Sequence, residues 1–192
     1  MSDILKQAVK RFANVTDSEY AYIFSFFRVK DMQKKDYLLR AGQVSNLLSF
    51  CEKGCLRKYH IDDSGEEVVV DFAIENYWVG DIQSFFEKSP AKNNWQALED
   101  CILHVVNAED IHRLSEEIPK LHAGLMWMIR RNHNAVAELL TLSRHSSAED
   151  RYKKMIETFP GITNRVAAHH IASYLGIQPE SLSRLKKKFA GK

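Results

Sequence analysis

The chain contains no run of about 18 consecutive apolar residues, so no membrane-spanning helix is expected. Its 192 residues include only 8 glycines and 4 prolines, which excludes a collagen-like repeat and a Pro/Gly-rich low-complexity chain. There are 3 cysteines, Cys51 and Cys55 close together and Cys101 far away. A set this sparse and odd in number excludes a disulfide scaffold and suits reduced thiols. The stretch from Met1 to Phe12 is polar and charged and lacks the apolar core of a signal peptide, so a cytoplasmic location is expected. Neither sign of charge dominates, with 27 Lys+Arg against 25 Asp+Glu and a net charge of +2. What is present is an ordinary globular composition, 45% apolar and 27% charged, in a chain long enough for one or two domains.

The near-neutral total hides a division. From Asp150 to Lys192 there are nine basic residues and three acidic ones, a net +6, which leaves −4 for the rest of the chain. A mildly acidic body with a basic end points to a module that binds a polyanion. Lys186, Lys187 and Lys188 alone would read as a solvated basic tail, so the sequence around them has to decide.

Along the chain, Ile4, Leu5, Ala8, Val9 and Phe12, then Tyr20, Ile23, Phe24 and Phe27, recur at helical spacing and predict two short helices with a break near Asn14 to Asp17. From about residue 35 to 110 the pattern changes to short β-rich runs: Leu47 to Phe50, Leu56 to Ile61, Val68 to Ile74, and Trp95 to Val106. Turn signals at Ala41-Gly42, Lys53-Gly54 and Asp62-Asp63-Ser64-Gly65 separate them, which predicts a sandwich or barrel. The polar stretch Glu87 to Asn94 interrupts the last part.

A long helix is expected next, with Pro119 in its first turn behind Glu116 and Glu117. Ile118, Leu121, Leu125, Met128, Asn132, Ala135, Leu139 and Leu142 are spaced by alternating threes and fours, a heptad seam whose one polar member is Asn132. Such a seam suits a twin helix in a homodimer; the alternative is a core helix packed on its own barrel. Met126, Ile129, Val136 and Leu140 form a second apolar stripe suited to the intramolecular contact. Ser146 or Ser147, with Glu149 and Asp150 following, signals the N-terminus of another helix that Pro160-Gly161 stops.

The segment that carries most information begins at Arg165. Ile171 and Leu175 line one face of a helix, Gly176 supplies a left-handed turn, Ile177 plugs it, and Pro179-Glu180 opens a second helix faced by Leu182 and Leu185. With Ala172 small where the helices cross, this is a helix-turn-helix pattern. An ordinary helical hairpin is the alternative, but the outward positions of the second helix are chemically apt for DNA. Gln178, Glu180, Ser181 and Arg184 are of types that pair with base edges, and Lys186, Lys187 and Lys188 suit phosphates.

In combination, these features resemble the Crp/Fnr family of bacterial transcription regulators. The stretches that carry the resemblance are Leu39-Arg40-Ala41-Gly42, Glu52-Lys53-Gly54-Cys55-Leu56-Arg57, Trp78-Val79-Gly80-Asp81, and the run from Ile171 to Arg184. The resemblance implies an α+β chain divided into a cyclic-nucleotide-binding-like β-roll with N-terminal helices at 1–116, a dimerisation helix at 117–145, and a DNA-binding helix-turn-helix at 146–192. It implies double-stranded DNA, a second copy of the chain and RNA polymerase as partners, and no enzymatic activity.

The sequence departs from the family in three respects. Glu180 and Arg184 match the family's Glu and second Arg, whereas Pro179 stands where a first Arg is usual. Gly80-Asp81 resembles the Gly-Glu pair of cyclic-nucleotide binders, but Glu87 to Trp95 supplies only Lys88 and Lys92 and no Arg for a phosphate clamp. Gly80, Asp81, Phe85, Lys92 and Trp95 therefore mark an effector pocket for an unidentified small molecule, or a pocket filled by Trp78, Phe85, Phe86 and Trp95; cyclic AMP or GMP is not expected. The sequence also stops four residues after Lys188, which leaves no room for a β-hairpin wing.

No metal or haem is expected. Three cysteines are too few for an iron–sulfur cluster and read as small core residues. His60 and His104 are isolated, and His169-His170 are adjacent on one helix, so neither a cupin-like metal enzyme nor a zinc site emerges. The different-class alternative is a β-roll sensor or protein-interaction module that does not bind DNA.

Overall fold

Ser2 and Thr16 open the two N-terminal helices, α1 (Asp3–Phe12) and α2 (Asp17–Phe24), each accepting a hydrogen bond from a backbone N–H of its first turn. The computed structural model describes residues 2–126 and 147–190. The eight strands follow: β1 (Arg28–Met32), β2 (Tyr37–Leu39), β3 (Leu47–Lys53), β4 (Leu56–Ile61), β5 (Glu67–Ala73), β6 (Trp78–Val79), β7 (Asn94–Ala97) and β8 (Cys101–Asn107). The helix α3 (Ile82–Glu87) lies between β6 and β7. All pairings are antiparallel, in two four-stranded sheets ordered β1-β8-β3-β6 and β2-β7-β4-β5. This is the jelly-roll-like β-roll that the family resemblance implied, and one form of the sandwich or barrel expected from the spacing of the β-rich runs.

The strand alternation sorts side chains into layers. On β3 and β8, Cys51, Cys101, Leu103 and Val105 point between the sheets, where they meet Leu39, Leu56, Ala73, Trp95 and Ala97. Leu48, Phe50 and Val106 face the other way and pack under α1 and α2 against Leu5, Val9, Tyr20 and Ile23. The turn read from Asp62 to Gly65 joins β4 to β5: Asp62 Oδ1 accepts from the Ser64 and Glu66 amides at 2.9 and 3.0 Å.

After β8 the chain forms α4 (Ala108–Glu117), capped by Asn107. It breaks at Ile118 and restarts at Pro119 as α5, helical over 119–126. The helix start expected with Pro119 in its first turn is found, since Pro119 lacks the N–H that a continuing helix would need and serves as a first position. The separate helix α4 before it was not expected. The C-terminal helices are α6 (Ala148–Thr158), with a Ser147–Asp150 capping box, α7 (Ile162–Arg165), α8 (Ala168–Leu175) and α9 (Pro179–Ala190).

The C-terminal helices share a core with the β-roll. Tyr59, Val69 and Phe72 of the second sheet pack with Met155, Phe159, Ile162, Ile171, Leu175 and Leu182. The layers therefore run helices, sheet, sheet, helices. Among the described residues no helix is long and apolar enough to cross a membrane.

Candidate nucleic-acid interface

The pair α8–α9 is the helix-turn-helix read from the sequence. Gly176 takes φ +61° and ψ +41°, and its N–H bonds back to the carbonyl of Ser173 at 3.0 Å, ending α8. Ile171, Ala172, Leu175 and Leu182 are all buried, with Ile177 and Leu185 packed beside them. With its apolar side buried there, α9 turns Glu180, Arg184 and Lys187 outward. Ser183 is exposed between them and completes the i, i+3, i+4, i+7 face. The sequence reading missed Ser183, although helical spacing from Glu180 would have found it.

The other expected contacts divide. Gln178 is exposed before α9, whereas Ser181 and Lys186 are half-buried. The Lys186 ammonium donates to the Thr163 carbonyl at 3.4 Å, and the Lys188 ammonium meets Glu149 at 2.5 Å. Of the three lysines, Lys187 is the exposed one for which no partner occurs among the described residues.

The five expected effector-pocket residues do not share one hollow. Trp95 is buried between the sheets and donates its indole N–H to the Gly80 carbonyl at 3.1 Å. Asp81 is buried and caps α3 through the Ser84 N–H at 3.0 Å. Lys92 is exposed. Phe85 belongs to the cluster beneath the N-terminal helices and lines a cavity of about 280 Å³ with Phe86, Ile111, His122, Leu125 and Met126. The physical reason is the fold: Trp95 faces between the sheets from β7, while Phe85 points from α3 to the opposite side of the first sheet.

Residues 29–117 match the family model of the cyclic nucleotide-binding domain. The transcriptional activator protein Anr of Pseudomonas aeruginosa is 25% identical over 173 residues, covering 84% of this chain and 70% of that protein. The anaerobic regulatory protein of Haemophilus influenzae is 25% identical over 175 residues, covering 84% of this chain and 66% of its own length. Among solved structures, the catabolite activator protein of Thermus thermophilus superposes with a TM-score of 0.63 at 18% identity, over 96% of this chain and 87% of that one. FixK2 of Bradyrhizobium japonicum gives 0.72 at 13% identity, over 86% and 85%. The chain is similar to Crp/Fnr-type transcription regulators over most of its length.

The seam expected for dimerisation is partly used elsewhere. Ile118, Leu121 and Leu125 are 7%, 2% and 2% exposed within one chain and pack with Leu5, Tyr20 and Leu114. Those three positions therefore make the intramolecular contact that had been assigned to the stripe beginning at Met126, while Met126 itself is half-buried beside the cavity. Met128, Asn132, Ala135, Leu139 and Leu142, with Ile129, Val136 and Leu140, lie outside the described residues.

The β-roll meets the helix-turn-helix through charges that no local pattern announces. Arg57 is 5% exposed and bonds Glu67 at 2.5 Å, Gln96 at 2.7 Å and His170 Nδ1 at 3.0 Å. Because a guanidinium only donates, His170 Nδ1 accepts and its proton sits on Nε2. Burial, then Arg57 and His169, hold the His170 pKa down at about 4. Ser173 Oγ accepts from the Val69 N–H at 2.9 Å and donates to the Glu67 carbonyl at 3.2 Å, so α8 covers the edge strand β5.

The three cysteines are free and buried, as expected of core residues. Burial raises the Cys55 thiol to about 12 and the Cys101 thiol to about 11, values that keep both protonated and unreactive. Among the described residues no group of three or more His, Cys, Asp or Glu side chains is arranged to hold a metal ion.

Proposed function

We propose that the chain is a sequence-specific DNA-binding transcription regulator that acts as a homodimer. The observation that carries this reading is the orientation of α9, whose apolar side is spent on α8 while Glu180, Ser183, Arg184 and Lys187 stand together on its exposed side. Arg184 would bond guanine through two parallel hydrogen bonds, Glu180 would accept from cytosine, and Lys187 would meet phosphate. In a symmetric pair the two α9 helices would enter successive major grooves about 34 Å apart on a near-palindromic site. The twin contact falls to the heptad positions from Met128 onward, since the first three serve the chain's own core.

The β-roll residues do not fit a cyclic nucleotide. A cyclic phosphate needs a cation fork or free backbone amides. The first-turn amide of α3 at Ser84 is taken by the Asp81 carboxylate, no Arg lies between Gly80 and Ala97, and Trp95 is hydrogen-bonded into the interior. Any effector is therefore of another class, and no cofactor is needed for the DNA contact. RNA polymerase is the expected downstream partner, and the chain has no catalytic role.

Selection of duplexes from a random-sequence library at low salt tests the reading. Enrichment of a two-fold symmetric sequence is expected, with binding that weakens with salt by roughly −0.9 log units per log unit for each neutralised phosphate. Failure to retain any duplex would leave the β-roll as a sensor or protein-contact module with a silent helical end.

A further inference from the structure

Arg165 ends α7 directly before the helix-turn-helix, and its guanidinium reaches two loops of the β-roll at once. It meets Glu75, between β5 and β6, with two bonds of 2.8 Å, and Glu99, between β7 and β8, at 2.5 and 3.4 Å. Glu75 is itself fixed, because Oε1 also accepts the Gly54 N–H at 2.9 Å. Gly54 lies close against β8: at φ +115° a Cβ added there would stand 2.8 Å from the Cys101 Cα, so only glycine fits. The clamp is therefore tied to the β-roll backbone at Gly54 as well as to the two carboxylates. From it, α8 runs along β5 and is pinned again through Ser173 to Val69 and through His170 to Arg57. The Tyr174 ring packs on Phe72 with centroids 5.2 Å apart. With Gly176 and the Leu182 contact joining α9 to α8, the direction of the reading face is set by the β-roll.

We propose that Arg165, through Glu75 and Glu99, is a positioning residue for DNA recognition: it holds the reading head at one angle to the β-roll and so fixes the half-site spacing the dimer accepts. This rests on the DNA-binding reading above. The physical basis is preorganisation. Two heads held rigidly bind a duplex of the right spacing without losing further freedom, and bind a wrongly spaced one only by breaking contacts. A head freed from the clamp loses affinity for the best spacing and tolerates others.

The test uses the full chain, with duplexes carrying two copies of the half-site selected by the unmodified protein, respaced one base pair at a time. A further duplex has one half-site scrambled. The unmodified protein is expected to weaken roughly tenfold or more when the spacing changes by about two base pairs. Arg165→Gln is expected to flatten that profile to within about threefold while binding the single half-site duplex unchanged. A profile as steep as the original, or an equal loss on every duplex, overturns the proposal; so does an original profile that ignores spacing. Glu99→Gln keeps the Glu75 bonds, and serves if Arg165→Gln fails to fold.

Hydrogen exchange supplies an arm independent of DNA. Exchange at the Val69 amide, protected by Ser173, is expected to quicken by roughly tenfold in Arg165→Gln. Unchanged exchange refutes the clamp whatever the duplexes show. If the unmodified protein binds no duplex, the DNA reading falls and the exchange result alone judges the clamp.

Discussion

Gly124 of α5 presses so closely on Phe12 at the end of α1 that a Cβ on the glycine would stand 2.5 Å from the Phe12 carbonyl oxygen. This contact seats the start of α5 against the N-terminal helices and turns Leu121 and Leu125 into the core. A helical glycine ordinarily weakens a helix by about 0.5–1 kcal/mol relative to alanine, so alanine would stabilise an unconstrained site. Here Gly124→Ala is expected to destabilise by about 1–3 kcal/mol, because the Phe12 ring could turn aside but the Phe12 carbonyl is backbone and cannot swing away. Urea unfolding measures it, and a stabilised variant would show that α5 does not sit there.

Leu125, a heptad position by sequence, is 2% exposed within the single chain. Leu125→Ala is expected to cost about 2–5 kcal/mol of fold stability through the cavity it leaves. Leu125→Glu is expected to lose helical circular dichroism at temperatures where the unmodified chain is folded. A folded monomer of undiminished stability, seen by light scattering, would return Leu125 to a dimer seam.

On α9, the exposed Arg184 and Lys187 are expected to act differently. Arg184→Ala is expected to cost about 1–3 kcal/mol on the preferred duplex and to relax preference at one base position. Lys187→Ala is expected to weaken all duplexes alike and to lower the salt slope by about one. Lys188→Ala is expected to change binding less than Lys187→Ala, since Lys188 is paired with Glu149. Titrations of matched and mismatched duplexes across a salt series separate these outcomes, and identical profiles for Arg184→Ala and Lys187→Ala would remove Arg184 from base reading.

The junction between the β-roll and α8 holds two oppositely shifted groups. Burial, only partly offset by the Phe72 N–H and Lys58, raises Asp71 from 3.8 to about 6. Native Asp71 therefore keeps a proton that the unfolded chain has released, and its contribution to stability declines as pH rises from about 4 to about 6. His170 is lowered from 6.5 to about 4, so the unfolded chain takes up a proton that the native state refuses. Its contribution rises with pH across nearly the same window.

The two slopes should offset in the unmodified protein. Asp71→Asn is expected to leave a stability that falls on acidification between about pH 6.5 and 4, and His170→Gln the reverse. Denaturation midpoints measured across that range check both, and parallel profiles for the two variants would contradict the assignment.

Much of this architecture was legible locally. The Asp62–Gly65 turn, the Ser147–Asp150 cap and the Gly176 turn each depend on side chains within a few residues of the backbone they satisfy. The exposed face of α9 was legible in part, because helical spacing identifies an outward face but not which lysine a neighbour will claim. Helix α4 was missed because only Ile111 and Leu114 of its ten residues are buried, too few to announce a helical face between the last β-rich run and Pro119.

The short helices α3, α4 and α7 were not readable from the sequence by itself, whereas the succession of helical and β-rich regions, the helix-turn-helix and the segregation of positive charge at the C-terminal end all were. Each follows from short-range periodicity, turn chemistry or composition. Only the tertiary structure decided which apolar stripe of α5 enters the core, and that Arg165 would meet Glu75 and Glu99, 90 and 66 residues away. Periodicity states that a face is apolar without naming what covers it, and a charge finds a distant partner only when the sheet topology brings the two loops together.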